Sequence, residues 1–280
     1  MAAGTMTVTT GAIFIPELWA LELFAAMRKN LVLAGLVWTP RDSEASKITR
    51  MGDTIRLQQI SHITARDKTA NTDVTYDNVT ETDLTLAINK HKYVAFNVED
   101  MLAAQAQPDL RAEYVGEAGY GLALAVDSDL AALVTGFSQS VGAGGSDMSE
   151  QTILDGKLLL DNADVPREGR YILVAPSQEN VFLKIPRFSE AQITGVGGII
   201  ANGKIGRIHG FDVYVSTNVY ASGGTTYNIM AHREALGLAM QKTPTMKALD
   251  DPDSIGWKTV VHEIYGVGEV RDSHGIQLLS

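Results

Sequence analysis

Hydrophobic and polar positions alternate cleanly at two places between residues 54 and 96. The first alternating stretch begins at Ile55, and the second runs from Leu84 to Ala95. A period of two residues predicts β-strands. The 23 residues that separate the two stretches, 61–83, include six Thr and four Asp but no Leu, Met or Phe.

Thr, Val and Tyr in this polar segment favour an extended backbone, and a structureless connection of this length is unusual inside a compact domain. We therefore expect a long two-stranded arm that projects from the body of the protein. About 20 residues per strand, at about 3.3 Å each, would give a reach of at most about 60 Å. Because an isolated two-stranded ribbon is only marginally stable in water, we expect it to lie against a neighbouring molecule.

Apolar residues at helical spacing predict helices in three segments. The first segment, residues 16–29, has one apolar stripe that consists of Leu18, Leu21, Phe24 and Met27. The second follows a cap-like sequence at Asn97–Asp100 and runs from Asp109 to Gly136, with three internal glycines whose cost in helix stability predicts close packing against another element. The third helix is capped by Ser149 and extends to about Asn162.

Shorter patterns describe much of the remaining chain. Residues 31–38, LVLAGLVW, are predicted to form a strand or an extended arm, and the small residues of 138–149 predict a flexible joint. An unbroken apolar run at Tyr171–Ala175 predicts a buried strand, and a small helix is expected to start at Pro176. The C-terminal sequences WKTVVHEIYGVGEV and GIQLL predict strands that pair with earlier parts of the chain.

One segment nearly matches the phosphate-binding loop GxxxxGK[ST], with Gly198 followed after four residues by Gly203 and Lys204. That loop requires a helix after it and a Ser or Thr hydroxyl after the Lys to hold magnesium. Ile205 occupies the hydroxyl position, and the alternation at Phe211–Ser216 predicts a strand. We therefore favour a glycine-punctuated loop that leads into a strand, and a nucleotide-binding enzyme that uses this loop is the alternative.

The composition is that of an ordinary globular protein, with 45% hydrophobic and 20% charged residues among 280. The absence of cysteine excludes a disulfide scaffold and thiolate chemistry. A formal charge of −10 argues against general attachment to nucleic acid or to an anionic membrane. The apolar stretch near the N-terminus is interrupted by Pro16, Glu17 and Glu22, so it predicts neither a membrane span nor a secretory signal.

The sequence predicts no catalytic residue, no cofactor and no metal. Six histidines are scattered without any pair at metal-ligand spacing, although a site assembled from distant residues stays open. The acidic residues 249–254 lack the glycine and the terminal Glu of a calcium loop. A GxSxG nucleophile turn is absent, and no two acids can be nominated as a general acid and base.

Taken in order, these elements resemble those of the tailed-bacteriophage major capsid proteins, which have the Hong-Kong-97-type fold. The resemblance covers nearly the whole chain and rests on an arm-like FIPELWALELFAAMRKNLVLAGLV, a loop-like stretch at 54–96, a long helix at 98–136, and VPREGRYILVAPSQENVFLK followed by GKIGRIHGFDVYVSTNV. It implies an α+β fold. The implied parts are an N-terminal arm (1–50), an extended β-hairpin loop (51–96), a peripheral domain with a long spine helix (97–139), an axial α+β domain (140–247) and C-terminal strands that return to the peripheral domain (248–280).

The resemblance also implies where subunits would contact one another. The candidate subunit-interface residues are His62, Arg66, Asp67, Lys68 and Tyr76 in the extended loop, Trp19 and Arg28 in the arm, and Lys204 and Arg207 in the axial domain. Gly206 and Gly210 are expected to allow a positive φ or a close approach. Some family members crosslink a loop Lys to an Asn of another subunit. Lys68 is placed at the loop tip, but no partner Asn or catalytic Glu can be assigned.

The function that the resemblance implies is that of a major capsid protein, a structural protein without enzymatic activity. It would self-assemble into hexamers and pentamers of an icosahedral shell that encloses double-stranded DNA, without binding that DNA specifically. The expected partners are other copies of the chain, a separate scaffolding protein, a portal protein and a decoration protein, but no membrane. The expected location is the virion capsid, after assembly in the host bacterial cytoplasm. An encapsulin-type nanocompartment shell, which shares the fold, is the alternative.

Overall fold

The structure, a computed structural model, describes residues 32–40, 54–60, 65–74, 76, 81–99, 110–182, 204–251 and 255–280. Its helices are α1 (Leu110–Ala132), α2 (Glu150–Asn162) and α3 (Pro176–Phe182), and 3-10 turns lie at Leu33–Gly35, Leu133–Gly136 and Asp272–His274. Its strands are β1 (Thr54–Ile60), β2 (Glu81–Ala87), β3 (Lys90–Glu99), β4 (Ser140–Gly142), β5 (Arg170–Val174), β6 (Lys204–Ile208), β7 (Phe211–Val215), β8 (Tyr220–Ser222), β9 (Thr225–His232), β10 (Leu236–Asp251), β11 (Gly256–Glu269) and β12 (Gly275–Leu279).

These strands form three sheets. The strands β1 and β2 pair with each other as a two-stranded antiparallel ribbon. A three-stranded antiparallel sheet has the order β10-β11-β3. The seven-stranded sheet has the order β4-β12-β9-β5-β7-β6, with β8 paired to β9. Sheets with helices packed on them confirm the predicted α+β class.

The seven-stranded sheet is centred on β5, in which every residue is buried. This strand pairs in parallel with β7 and antiparallel with β9. A core forms where Ile153 and Leu160 of α2 meet Ile172 of β5 and Phe211 of β7. The predicted buried strand is therefore confirmed.

The start of α2 is fixed by a capping box, which confirms the predicted cap at Ser149. The Thr152 backbone N–H donates to the Ser149 hydroxyl at 3.2 Å, and the Ser149 backbone N–H donates to the Thr152 hydroxyl at 3.4 Å. Two N–H groups that have no partner within the helix are satisfied in this way. The small helix α3 also begins at Pro176 as expected.

The long helix α1 contributes to two cores along its length. In its first half, Val115, Ala118 and Leu122 pack against the three-stranded sheet. Further along, Val126 and Leu130 enter a core shared with the seven-stranded sheet. The 23 residues of α1 span about 35 Å at about 1.5 Å each. The helix continues into the 3-10 turn that ends at Gly136, which confirms the predicted end.

One prediction about this helix is wrong, and a second is wrong at two of its three positions. The cap-like residues Asn97–Glu99 lie in β3, where Val98 pairs with Trp257 of β11, because strand pairing satisfies their backbone groups. The internal glycines do not mark a close approach at Gly116, where an added Cβ would meet nothing within 4 Å. At Gly121 it would meet only Val94 Cγ2 at 3.8 Å, which is an ordinary contact.

The prediction of a strand or an extended arm at residues 31–38 is wrong for the part that the structure describes. A 3-10 turn forms at Leu33–Gly35, and Trp38 makes a single parallel β-bridge to Gly237. The Leu33 side chain is fully buried, and its backbone N–H donates to Asp127 Oδ1 at 2.8 Å. The predicted helix at 16–29 lies outside the described residues.

The ribbon formed by β1 and β2 confirms the predicted hairpin, with Ile55 paired to Leu86. The predicted length of about 20 residues per strand is wrong, since residues 65–74 contain no strand. The described part of each strand has seven residues and spans about 23 Å at about 3.3 Å per residue. The alternation that extended to Ala95 in the sequence belongs to two strands, because β3 joins the three-stranded sheet.

The predicted joint at 138–149 includes a short strand, β4, which pairs in parallel with β12. The two C-terminal strands pair with earlier parts of the chain, as expected. They enter different sheets, however: β11 lies between β10 and β3, whereas β12 lies between β4 and β9. Their pairing therefore separates two strands that the resemblance assigned to one domain.

Residues Tyr114–Gly136 are long and apolar enough to cross a membrane by length and composition, with a mean hydropathy of 1.2. Half of this stretch is buried inside the protein. A helix that packs against two sheets needs apolar residues on much of its circumference, so packing accounts for the composition of α1.

Candidate subunit-interface site

The loop that follows β1 has a tight turn at its described centre. Asn71 adopts a positive φ of 65°, and the Thr72 hydroxyl donates to the Thr69 carbonyl at 2.9 Å. The Lys68 ammonium donates to the carbonyl oxygens of Thr69, at 3.0 Å, and Thr72. A cation that binds backbone carbonyls on both sides of a turn stabilises that turn, so Lys68 helps to shape the loop.

All side chains at 65–74 are exposed, and Tyr76 is 90% exposed. Arg66, Asp67 and Lys68 thus lie together with Tyr76 on one exposed loop, as the sequence predicted for four of its candidate residues. A tyrosine exposed to this degree leaves nearly all of its apolar ring in contact with water. The fifth loop candidate, His62, lies outside the described residues, as do Trp19 and Arg28.

The base of the ribbon packs on the three-stranded sheet at a site that we call the seat, which includes Ala239, Gly266 and Gly268. Leu86 and Ile88 are buried there, at 2% and 8% exposure, and they contact Ala239. The seat contains glycine: a Cβ added at Gly268 would lie 2.6 Å from Leu86 Cδ1, and one added at Gly266 would overlap the Ala87 carbonyl group. The ribbon can approach the sheet this closely only because these positions have no side chain.

Sequence reasoning missed this seat, although a signal was present. The segment Tyr265–Glu269 has two glycines at alternate positions of a predicted strand, and glycine inside a strand often marks the close approach of another backbone. The pattern identifies the seat but not the element that occupies it.

The other candidates, Lys204 and Arg207, lie in β6, which pairs with β7 of the seven-stranded sheet. The Arg207 guanidinium lies 3.5 Å from Asp212 Oδ1, and its side chain is 64% exposed. Gly206 and Gly210 have φ values of 122° and 95°, which confirms the expected positive φ. These candidates share a hairpin but belong to a different sheet from the loop residues.

The same hairpin contradicts the nucleotide-binding alternative. A phosphate-binding loop needs a helix N-terminus directly after its Lys. Here the chain continues from Lys204 through β6 into β7. Backbone N–H groups in these strands pair with carbonyls of the neighbouring strand instead of converging on a phosphate.

A charged layer lies between α1 and the three-stranded sheet. The Tyr265 hydroxyl donates to Asp129 Oδ2 at 2.7 Å, and Lys90 and Lys92 place their ammonium groups 3.1 and 3.7 Å from the same oxygen. Although partial burial opposes it, these contacts lower the pKa of Asp129 below its usual value. Burial and the bond to Asp129 raise the pKa of Tyr265.

Next to this layer, Glu263 is fully buried, and neither carboxyl oxygen has a hydrogen-bond partner among the described residues. Burial raises the pKa of Glu263 to about 7. The charge of Lys92, which lies opposite Glu263 in β3, opposes this shift. A carboxyl group with a pKa near neutrality is protonated or ionised depending on the surrounding pH. The sequence could not identify this group, because Glu263 resembles any acid in an alternating strand.

Two distant histidines do meet, as the sequence left open. His232, Glu234 and His274 have ligand atoms within 4.8 Å of one another. The ring nitrogens have protein partners, however: His232 Nδ1 accepts from the Glu234 backbone N–H at 3.3 Å, and His274 Nδ1 lies 3.1 Å from the Ser273 hydroxyl. Burial lowers the pKa of both imidazoles.

The cation Arg271 lies beside this cluster, with its Nη1 atom 3.6 Å from Glu234 Oε2 and 3.5 Å from His274 Nε2. A guanidinium group at this position occupies the acceptors that a metal ion would need and repels the ion. The geometry therefore favours two neutral histidines, each of which is hydrogen-bonded to other protein groups.

Comparison with known proteins identifies the family. The profile of a family described as phage capsid protein matches residues 64–277, whereas no curated protein matches the sequence. The structure is similar to one of Mycobacterium phage Che8, with a TM-score of 0.74 and 23% identity over 89% of this chain and 90% of the other. The head structure of Helicobacter pylori bacteriophage KHP40 gives a TM-score of 0.68 and 15% identity, with coverage of 87% and 86%.

A third similar structure is a virus-like particle from Pyrococcus furiosus, with a TM-score of 0.63 and 14% identity over 95% of this chain and 99% of the other. The structural matches confirm the predicted Hong-Kong-97-type fold. Because the family match covers well over half of the sequence, the chain belongs to the phage capsid protein family.

Proposed function

We propose that this phage capsid protein assembles into the hexamers and pentamers of an icosahedral shell that encloses double-stranded DNA. The observation that carries the proposal is the ribbon of β1 and β2. Its base is buried on its own subunit, whereas the loop residues 65–74 and Tyr76 are exposed. A two-stranded ribbon gains stability from a surface that covers it, and copies of the same chain supply such a surface in a closed shell.

The loop offers the chemistry of an interface. Tyr76 provides a large apolar ring with a polar tip, and tyrosine and arginine are enriched among the residues that contribute most to binding. Arg66, Asp67 and Lys68 provide both signs of charge close together, which favours complementary pairing and a fixed register with a neighbour. We assign these loop residues, together with His62, to contacts between subunits.

The remaining candidates extend the contact network. Lys204 and Arg207 belong to β6, which lies at the edge of its sheet among the described strands. The Arg207 side chain is 64% exposed, so a cation and main-chain groups at this edge are available to a second copy. Trp19 and Arg28 would act from the N-terminal segment in the same way. Many modest contacts of this kind, repeated around a ring, give a stable shell without any single strong interface.

The charge of the chain suits a container more than a DNA-binding protein. At −10 the subunit repels a phosphate backbone overall, so the packaged DNA would be confined without specific binding. The resemblance to tailed-phage proteins supports a separate scaffolding protein, a portal protein and a decoration protein as further partners. It also supports assembly in the host bacterial cytoplasm, before the chain becomes part of the virion.

The second candidate function is that of an encapsulin-type shell around a protein cargo. This second function is supported by the similarity to a virus-like particle from Pyrococcus furiosus, which extends over nearly the full length of both chains. Electron microscopy of particles from phage-infected cells, combined with measurement of their nucleic-acid content, separates the two functions. Double-stranded DNA inside icosahedral particles supports the first, and empty or protein-filled particles support the second.

Assembly itself is tested by deletion of residues 63–80 from the full chain. We expect a subunit that is folded, as judged by circular dichroism and thermal unfolding, but forms no stable particles. The matched control is Leu158→Ser, which changes a 58% exposed residue of α2 and should leave assembly intact. Normal shells from the deletion variant would refute the role of the loop.

A further inference from the structure

Glu263 of β11 is a buried acid without a hydrogen-bond partner among the described residues. None of its surface is exposed, and neither carboxyl oxygen has a donor. Ionisation of a buried carboxyl group without partners is unfavourable. On one side Glu263 lies beside a bulge in β10, where Thr243 and Pro244 have no partner in the pairing with β11. Neither of these two residues titrates, so this part of β10 brings no charge to Glu263.

A cation lies on the other side of Glu263, in β3. Lys92 is directly opposite Glu263 in the antiparallel pairing, and the Cβ atoms of such pairs are about 4.5–5.5 Å apart. The Lys92 ammonium nevertheless points toward α1, where it lies 3.7 Å from Asp129 Oδ2. Its side chain is 44% exposed, and a lysine stem is flexible enough to change direction. Lys92 therefore has two acids within reach and contacts one of them.

Asp129, in contrast, has more partners than one carboxylate needs. The Lys90 ammonium lies 3.1 Å from Asp129 Oδ2, and the Tyr265 hydroxyl donates to the same oxygen at 2.7 Å. The nearby acid Asp127 takes no part, because it accepts its hydrogen bonds from residues outside this layer. If Lys92 left, Asp129 would keep one cation and one hydrogen-bond donor.

The two acids compete for Lys92 only when both are ionised. Although partial burial opposes it, contacts with Tyr265 and the lysines lower the pKa of Asp129, so Asp129 is charged near neutral pH. Burial raises the pKa of Glu263 to about 7, so Glu263 becomes charged as the pH rises through neutrality. Charges in a protein interior are screened weakly, and an ionised Glu263 therefore attracts the cation that lies opposite it.

We propose that Lys92 exchanges partners: it contacts Asp129 of α1 while Glu263 is protonated, and it turns to Glu263 once that carboxyl group is ionised. The structure shows the first arrangement. In the second, α1 loses one of its two lysine contacts with the three-stranded sheet, so the pH sets how firmly this helix is held. The exchange takes place within one chain, so it does not depend on the proposed shell.

Double-mutant cycles at two pH values test the exchange in the full-length chain. The coupling of two residues is measured by urea denaturation, as the fold-change in the unfolding constant that depends on both. For Lys92→Met with Asp129→Asn, we expect a coupling of about threefold at pH 5.5 that is lost at pH 8.5. For Lys92→Met with Glu263→Gln, we expect no coupling at pH 5.5 and about tenfold coupling at pH 8.5.

The control cycle combines Lys90→Met with Asp129→Asn. Because Lys90 keeps its partner in both arrangements, this coupling should persist at pH 8.5, and its loss would indicate a general weakening of the layer instead of an exchange. A Lys92–Asp129 coupling that is equal at the two pH values would overturn the proposal, as would the absence of Lys92–Glu263 coupling at pH 8.5.

Carbon-13 NMR of labelled Asp and Glu carboxyl groups gives a second measurement that needs only single variants. In the parent chain, the Asp129 signal should shift near pH 7 together with that of Glu263, although Asp129 does not titrate there. Lys92→Met should abolish the Asp129 shift and raise the midpoint of Glu263 by about one pH unit, whereas Lys90→Met should retain the shift. An Asp129 signal that stays constant near pH 7 in the parent, or that still shifts in Lys92→Met, would refute the exchange.

Discussion

The carbonyl group of Ala87 occupies the space that a side chain on Gly266 would need. Ala87 is the last residue of β2, and Gly266 lies in β11, beneath the ribbon. This contact fixes how closely the ribbon can approach the three-stranded sheet, and therefore how the exposed loop is supported by the body of the subunit.

We expect Gly266→Ala to displace the base of the ribbon, because the new methyl group meets backbone, which cannot rotate away. The free energy of unfolding should fall by about 1–3 kcal/mol, as for other overpacked positions, and could be measured by urea denaturation. Shell yield should fall with it, because the loop loses its support.

The control for this substitution is Gly116→Ala in α1, where an added Cβ meets nothing within 4 Å. It should raise the free energy of unfolding by up to about 1 kcal/mol through helix propensity. If both variants were equally stable, the close approach of Ala87 to Gly266 would have no energetic weight.

Glu263 should make stability depend on pH. Its pKa is about 7 in the folded chain, above the ordinary value of 4.5, so its contribution is fully present below about pH 4.5 and is lost as pH rises through about 7. We expect Glu263→Gln to have little effect at pH 5 and to raise the free energy of unfolding by about 2–3 kcal/mol at pH 8.5, relative to the parent chain.

Chemical denaturation at several pH values measures this difference. Glu269 also has a pKa raised to about 7, by burial and by its bond to Asp272, so the parent retains a similar trend and the variant-minus-parent difference isolates Glu263. Glu117→Gln, at an exposed position of α1, is the matched control for replacing a glutamate by glutamine. A constant difference between Glu263→Gln and the parent across pH 5–8.5 would contradict the expected titration.

Removing the hydroxyl of Tyr265 should weaken the charged layer beneath α1. Tyr265→Phe leaves Asp129 with Lys90 and Lys92 but without its 2.7 Å hydrogen bond. A hydrogen bond to a charged group contributes about 1.5–3 kcal/mol, and the remaining lysines should reduce the observed loss to the lower end of that range. Tyr93→Phe, at a 69% exposed ring, provides the control and should leave the thermal midpoint unchanged.

The capping box of α2 gives a prediction about local chemistry. Ser149→Ala removes the side-chain oxygen that accepts from the Thr152 backbone N–H and should lower the free energy of unfolding by about 1 kcal/mol. Ser149→Asp should retain most of the stability, because an acid accepts the same bond and suits the helix N-terminus. Equal losses for both variants would indicate that packing, and not the cap, fixes the start of this helix.

Local chemistry determined several elements of this protein without help from the tertiary structure. Ser149 marks the start of α2, the apolar run after Arg170 marks β5, and the glycines at 206 and 210 mark the hairpin of β6 and β7. Each signal comes from residues within a few positions of one another, so the backbone there has the same preference in any fold. The order of such elements was enough to indicate the capsid fold.

Tertiary pairing decided the elements where local signals were weak or pointed elsewhere. Asn97–Glu99 resemble a helix cap but form the end of β3. Their backbone groups pair with β11, which lies about 160 residues further along the chain. The 3-10 turn at Leu33–Gly35 depends in the same way on Asp127 of α1.

The chemical environment of a side chain was equally out of reach of the sequence. Glu263 acquires its raised pKa because α1 and the sheet exclude water from it, and Gly266 becomes essential only because Ala87 lies above it. Burial and close approach are properties of elements brought together from distant parts of the chain. The sequence alone determined the strands and helices whose signals are local, and the tertiary structure decided the remaining elements and the surroundings of every side chain.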